Sequence, residues 1–346
     1  MYRGLGDEYK RKLLEYAEQL KDDDAAKISL YFITRHLKAG MSRTARVVDK
    51  FDFKIIKAPI APDIAKFFKY TLSNQIISHA SKDDIVMKKY TVIDDDIDNK
   101  IYAYAMNNAI SFSKVINNDI KNDKPVVLTS LAEVQNDLWA YCIKVQKGAD
   151  VTYSFRKISR GKVTTNEPQN MTQRVFALFD KTDKELRSFD GSAVNFDDKI
   201  DCIYIKDQFY VFHKKSFEAI VGLEVEFTEA AQKTLNTIKE LDLIEGLDVI
   251  EQAILHKPSL RKILTHIAEK GNHTVLEKND VQAMNDVLKM FQNEEFKTNE
   301  HGKLVIEDER QGRNFLKLLN DYYKQGMTTK KYYGTDSGNV INPIKA

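Results

Sequence analysis

The spacing of apolar and polar residues changes character twice along the chain. Residues 8–21, DEYKRKLLEYAEQL, put Leu13, Leu14, Ala17 and Leu20 on one face, the spacing of a short amphipathic helix. ISLYFITRHL (28–37) is rich in β-branched and aromatic residues, and ARVVDKFDFKIIKA (45–58) alternates; both predict strands. Pro59 and Pro62 then punctuate the chain, and DIAKFFKYTLSNQIISHA (63–80) has helical spacing. IVMKKYTVI (85–93) predicts a strand, DDDIDNK (94–100) a turn, and IYAYAMNNAISFSKVI (101–116) a strand that gives way to helix. The polar stretch NNDIKNDKP (117–125) ends in proline and is the best candidate for a domain boundary.

Beyond it, strands alternate with turns: LWAYCIKVQ (138–146), VTYSFRKI (151–158), RVFALFD (174–180), IDCIYI (200–205) and FYVFH (209–213). KDQ (206–208) predicts a tight hairpin between the last two. Spacings this short leave little room for crossover helices, so the sheet is expected to be antiparallel. From Ser216 the period becomes 3.6, with successive helices to about residue 325 and a final one at 309–324. Ser216, Thr228, Ser259 and Asp280 stand where N-caps are expected. TKKYYGTDSGNVI closes the chain as a short strand. The expected fold class is α+β: a mixed N-terminal α/β region (1–122), then a second domain (123–346) with a central antiparallel sheet at 138–213 and helices at 216–325.

Composition adds bounds. The 346 residues are enough for a sizeable core, and 42% hydrophobic with 30% charged residues describes an ordinary globular protein. Two cysteines far apart, Cys142 and Cys202, make neither a disulfide framework nor a metal spacing, so a reducing cytoplasm is the default. No apolar run is long enough to span a bilayer, and the first residues carry no secretory signal pattern. The net charge of +2 conceals zones: Asp180 to Glu251 holds 17 acids against 9 bases, and Arg310 to the end holds 7 bases against 2 acids. Such zoning can hold a polyanion at one place, or dock copies of the chain basic face to acidic face.

Catalytic patterns are sparse. The seven histidines make no HExxH, HxH or Cys/His ligand spacing, and no glycine cradle for a nucleotide or nucleophile elbow appears. Neither cofactor nor metal is expected. The acids Asp94, Asp95, Asp96 and Asp98 lack the glycine and terminal glutamate of a calcium loop and read as a solvated turn. A metal-dependent nuclease would use carboxylates for the cation and a nearby lysine for the attacked phosphate or water. Asp52-Phe53-Lys54 and Asp119-Ile120-Lys121 fit that triplet, with Asp98 upstream of the second. In a chain this rich in Asp and Lys, such triplets also arise by chance.

The basic elements are more suggestive. Between Lys144 and Val163 lie six Lys/Arg against one acid. Exposed Lys and Arg on a strand pair can follow a phosphate backbone, and arginine can fork onto a phosphate or base edge. Period 2 splits FRKISRGK (155–162), placing Arg156 and Arg160 on one face and Lys157 on the other. The tip, Arg160-Gly161-Lys162, is where the charges can converge. A second segment combines Lys317, Lys324, Lys330 and Lys331 with Tyr332 and Tyr333, a pairing suited to single strands through stacking. The alternatives are an ordinary solvated hairpin and tyrosines packed on the last helix.

One set of residues resembles a known family. Phe196, Asp197, Ile200 and Asp201, then Phe217-Glu218 opening a helix, and Leu316, Leu319, Asn320, Asp321, Thr328 and Tyr333 in the tail are together similar to the KwaB-like family of Kiwa anti-phage proteins. The likeness covers roughly residues 130 to 341. The chain departs from the pattern at Asp336-Ser337-Gly338, where a Ser-Lys-like pair is expected. The resemblance implies a cytoplasmic bacterial defence component that binds DNA and is recruited to the inner face of the cell membrane. It implies a small membrane-spanning (KwaA-like) partner, and the resemblance supplies no catalytic residue. The combined expectation is a non-catalytic, homo-oligomeric DNA-binding effector without direct membrane insertion, contacting DNA through Arg156, Lys157, Arg160, Lys162, Arg174, Lys330 and Lys331. A metal-dependent nuclease and a protein-only scaffold are the alternatives.

Overall fold

A computed structural model describes the chain except at residues 1–2, 23–24, 43–49, 83, 94–98, 106–125, 159–162, 166–176, 181–183, 189–191, 335–339 and 342–346. The elements run α1 (Arg3–Asp22), β1 (Lys27–Leu37), β2 (Phe51–Ala58), α2 (Pro62–Ala80), β3 (Val86–Lys89), β4 (Lys100–Ala105), β5 (Val126–Val127), β6 (Leu138–Lys147) and β7 (Asp150–Lys157). Then come β8 (Val163–Thr165), β9 (Ala177–Asp180), β10 (Glu185–Ser188), β11 (Ser192–Val194), β12 (Cys202–Ile205), β13 (Gln208–Val211) and α3 (Lys214–Val221). The remainder is α4 (Leu223–Glu240), β14 (Ile244–Glu245), α5 (Leu247–Ile254), α6 (Pro258–Lys270), α7 (Lys278–Gln292), β15 (Lys297–Thr298), β16 (Leu304–Val305), α8 (Glu309–Leu319), β17 (Tyr323–Gln325), β18 (Tyr332–Gly334) and β19 (Val340–Ile341). The fold is α+β, with two compact units. One comprises Met1–Arg43, Lys50–Tyr90 and Asn99–Gly222, and the other is built mainly from Leu223–Ala346.

The first unit is organised by a nine-stranded sheet in the order β3-β4-β13-β12-β7-β6-β1-β2-β5. Its central pairs are antiparallel, as the short spacings require, and the parallel pairs β3–β4 and β2–β5 lie at the two edges. The sheet draws β1 to β4 from before residue 122 and β6, β7, β12 and β13 from after it. A boundary in the 117–125 stretch therefore does not mark the division between the units, which falls at Gly222. Local polarity signals a connection, whereas strand pairing decides what that connection joins. Lys206 and Asp207 both have positive φ (46° and 64°), giving β12–β13 the two-residue turn whose twist matches the strands.

The stripe of Leu13, Ala17 and Leu20 on α1 is buried, with Phe68, Leu72 and Ile76 of α2, against Leu30, Phe32, Tyr141, Ile143 and Ile203 on one face of the sheet. Cys142, Phe155, Cys202 and Phe209 occupy the other face, where Phe217 of α3 meets Phe209 at 5.2 Å between ring centroids. Both cysteines are free and fully buried, and burial pushes their thiols well above the usual range.

In the second unit the 3.6 periodicity becomes α4 to α8 around a core that includes Leu235, Leu264, Ile267, Leu288, Phe315 and Leu316. Helix starts differ from the expected caps. His213 caps α3, Pro258 is the first residue of α6 after Lys257, and Glu277 with Asp280 forms a capping box on α7. Ser216 and Ser259 lie inside the first turns and Thr228 inside α4, where its hydroxyl donates to the Glu224 carbonyl at 2.8 Å. The last helix stops at Leu319 rather than 324, because Asn320 caps it and Asp321 turns left-handed at φ 54°. The chain then enters the small sheet β17-β18-β19.

Candidate nucleic-acid interface

Antiparallel register brings four strand ends of the first unit to one end of the sheet. Leu37 pairs with Phe51, Thr34 with Leu138, and Ala140 with Lys157. The register of β1 on β6 slips between Ile33 and Thr34, so Trp139 is an extra residue with no partner of its own on β1. A bulge of this kind re-aims a side chain and tightens local twist. Here Trp139 receives the Arg35 guanidinium 3.5 Å from its ring centroid, and Arg35 also lies 4.0 Å from the Phe51 ring. Stacking of a guanidinium on aromatic faces fixes its plane. The Lys157 ammonium sits 4.6 Å from the same indole.

These residues line a cavity of about 970 Å³ that also takes in His36, Lys50 and Ser216. Its acids are engaged. Asp137 contacts His36 at 3.2 Å, and Asp197 receives Arg156 through two hydrogen bonds, Nε at 3.0 Å and Nη2 at 2.7 Å. The third guanidinium nitrogen donates to Asp201 at 2.7 Å, and the Lys157 backbone N–H donates to the other oxygen of Asp201 at 2.6 Å. Burial works against the Arg156 charge, but the hydrogen bonds and charges of Asp197 and Asp201 outweigh it and hold the guanidinium above its ordinary range. Lys157 is the reverse case. Burial and the positive charge of Arg35 lower its ammonium, Asp201 opposes this, and Lys215 adds to it. Among the described residues the Lys157 side chain has no ion pair.

One arrangement is suggestive but fails chemically. Ser216, His213 and Asp201 lie together, yet the Ser216 hydroxyl (2.7 Å) and the Asp201 carboxylate (3.7 Å) both face Nδ1 of His213. A hydrolytic triad needs serine and acid on opposite ring nitrogens. Nδ1 also accepts the Ser216 backbone N–H, so His213 serves as the helix cap.

The residues expected to touch DNA thus separate. Arg156 is withdrawn from the set: its guanidinium is committed to two carboxylates, 41 and 45 residues downstream, that no local pattern announces. Lys157 enters the cavity. Lys330 and Lys331 sit exposed in the connection between β17 and β18, beside Met327 at 89% exposure. Of the neighbouring tyrosines, Tyr332 meets Phe291 of α7, not the last helix, edge-on at 5.0 Å, and Tyr323 stacks on the same ring at 4.6 Å. Arg160, Lys162 and Arg174 lie outside the described residues, as do Asp98, Asp119 and Lys121. Asp52 and Lys54 are exposed on β2. Among the described residues no group of three or more His, Cys, Asp or Glu is placed to hold a metal ion, and no helix is long and apolar enough to cross a membrane. Sequence reasoning missed Arg35, Lys50 and Trp139. The one available signal was the position of the chain's single tryptophan at the start of a strand.

The motif residues shared with a family prove to be supports. Asp197 and Asp201 hold Arg156, while Phe196 packs edge-on to Phe68 and Tyr141 at 5.0 and 5.3 Å. Glu218 accepts the Tyr90 hydroxyl at 2.8 Å. In the second unit Asn320 meets His266 Nδ1 at 2.8 Å, and Asn272 donates to Asp321 at 3.0 Å. The first unit of this α+β protein thus holds a cavity lined by basic and aromatic side chains, with Asp197 and Asp201 holding Arg156 in its wall. The family model described as Kiwa protein KwaB-like matches residues 135–328, more than half of the chain, and the chain belongs to that family. It is similar to Kiwa protein KwaB of Escherichia coli O55:H7 (strain RM12579 / EPEC), 25% identical over 166 residues, which cover 47% of this chain and 51% of that protein. The chain therefore spans about half the length of the curated relative it matches. No solved structure matches it.

Proposed function

We propose that this protein is a non-catalytic DNA-binding effector of a bacterial anti-phage system. It grips phosphates with Lys157 at the strand-end cavity and with the exposed pair Lys330 and Lys331. The observation that carries the reading is Lys157: a half-buried ammonium depressed by burial and by neighbouring cations, with no carboxylate pairing it among the described residues. An incoming phosphate is the counter-charge such a group lacks, and neutralising phosphate charge with lysine is the main source of DNA affinity. Arg160 and Lys162 follow Lys157 closely in the chain and extend the same basic run. The protein acts in the cytoplasm as a homo-oligomer and works with a small membrane-spanning partner that recruits it to the inner face of the membrane. The acidic stretch from Asp180 to Glu251 and the basic stretch from Arg310 onward supply complementary charge for self-association.

The test is fluorescence anisotropy of a labelled DNA duplex at fixed moderate salt. Lys157→Glu and the double change Lys330→Glu with Lys331→Glu are each expected to weaken binding by about tenfold or more, the scale expected when a charge-assisted hydrogen bond is removed and its charge reversed. Unchanged affinity in both variants, or no binding by the parent protein, overturns the reading.

A further inference from the structure

We infer that the strand-end cavity is a pocket for one phosphate-bearing nucleotide unit, its phosphate on the Lys157 ammonium and its remainder enclosed by the walls beside Trp139. This deepens the DNA-binding reading and rests on it for the ligand class. An exposed lysine can contact a phosphate anywhere along a duplex, whereas Lys157 lies in a walled, half-open cavity. The volume of about 970 Å³ lies in the range of small-molecule sites and exceeds what a single inorganic ion needs.

The charge balance inside the cavity fits a ligand with a negative end. Of the acidic lining residues, Asp197 is paired with Arg156, and Asp137 lies 3.2 Å from His36. Asp201, the nearest carboxylate to Lys157 in electrostatic effect, is likewise held by Arg156. The positive charge of Lys157 is left over. The Trp139 ring lines the same cavity beside that ammonium, 4.6 Å from it. The mould is set in advance, because the bulge fixes Trp139 and the Arg35 guanidinium is held against Phe51 and Trp139.

Two sources share this chemistry, the phosphorylated end of a DNA strand and a free nucleotide. Trp139 is the only tryptophan, so its emission reports on this pocket alone. The full chain, excited at a wavelength the bases do not absorb, is titrated with thymidine 5′-monophosphate, thymidine, and oligothymidylates with a 5′-phosphate or a 5′-hydroxyl. Duplex binding is followed in parallel by anisotropy of a label on the DNA. The expected result is a saturable change in emission with the phosphorylated ligands and at least about tenfold weaker binding of those lacking the phosphate. Tighter binding of the 5′-phosphorylated strand assigns the pocket to strand ends, and tighter binding of the monophosphate assigns it to free nucleotides. Lys157→Met should weaken the phosphorylated ligands about 10- to 100-fold, and Lys157→Arg should restore much of the affinity. A silent tryptophan, or equal response to thymidine and its monophosphate, overturns the pocket; if duplex binding persists, the DNA-binding reading stands without it. A response to the monophosphate with no DNA binding at all supports the pocket and removes the DNA-binding reading.

Discussion

Arg156→Met separates a supporting role from a ligand-binding one. Arg156 holds a carboxylate in each of two settings: Asp197, whose side chain is 27% exposed, and Asp201, which is 0% exposed. Losing the Asp197 pair, partly screened by water, costs about 1 kcal/mol. Losing the Asp201 pair is worse, because a fully buried carboxylate keeps the Lys157 backbone N–H but is deprived of its charged partner, which costs about 3–5 kcal/mol. The sum, about 5 kcal/mol, corresponds to a fall in melting temperature on the order of 10 °C for a unit of this size. Asp197→Asn should lower it by only about 2–4 °C, since it touches the weaker half of the clamp. Differential scanning calorimetry or circular dichroism melting measures both. Arg156→Met also leaves the Asp197 and Asp201 carboxylates uncompensated beside Lys157, so the melting temperature, not the DNA affinity, is the discriminating readout. A variant that melts within about 2 °C of the parent would refute the clamp.

Further expectations test other parts of the account. Gly246 has φ +81° and its α-carbon faces the Ile306 carbonyl, so a methyl there meets backbone as well as strain; Gly246→Ala should destabilise the second unit by about 2 kcal/mol or more in urea unfolding. Burial raises Tyr16 to about 12, against the smaller lowering by its 2.6 Å hydrogen bond with Thr152, and burial raises Tyr210 to about 12 as well. Their unfolded forms ionise near pH 10, so stability should be level below that and fall between pH 10 and 12; Tyr16→Phe should remove about 2–3 kcal/mol of that fall in melts across this range. Asn320, 3% exposed, joins His266 to the end of α8, and Asn320→Leu should cost about 1–3 kcal/mol by leaving its partners unmet.

What could be read along the chain was mostly what repeats locally. Alternation located β6, β7, β12 and β13 to within about two residues, and the turn chemistry of Lys206-Asp207 located their hairpin. Period 2 also correctly put Arg156 and Lys157 on opposite faces. It could not show that Asp197 and Asp201 return to close over Arg156, since that clamp is made by chain 41 to 45 residues away. Nor could it show the Trp139 bulge, which exists only relative to β1. Both residues line the cavity, but the more prominent arginine is tied to two carboxylates while the lysine beside it makes no ion pair among the described residues. Strand pairing across the 117–125 stretch was hidden for the same reason, because a polar connection looks alike within a sheet and between domains. The tail helix was overrun by five residues because Asp321, a type that tolerates left-handed backbone, stops it without a glycine or proline to mark the place.

The central claim, that DNA is held through phosphate contacts, is tested most directly by the salt dependence of duplex affinity. The logarithm of the association constant should fall linearly with the logarithm of salt concentration, and the slope should become shallower by about 0.9 for each phosphate-contacting lysine removed, with Lys157→Ala and the Lys330→Ala, Lys331→Ala pair adding independently. An affinity that stays flat across the series, or a slope indifferent to all three lysines, contradicts the account.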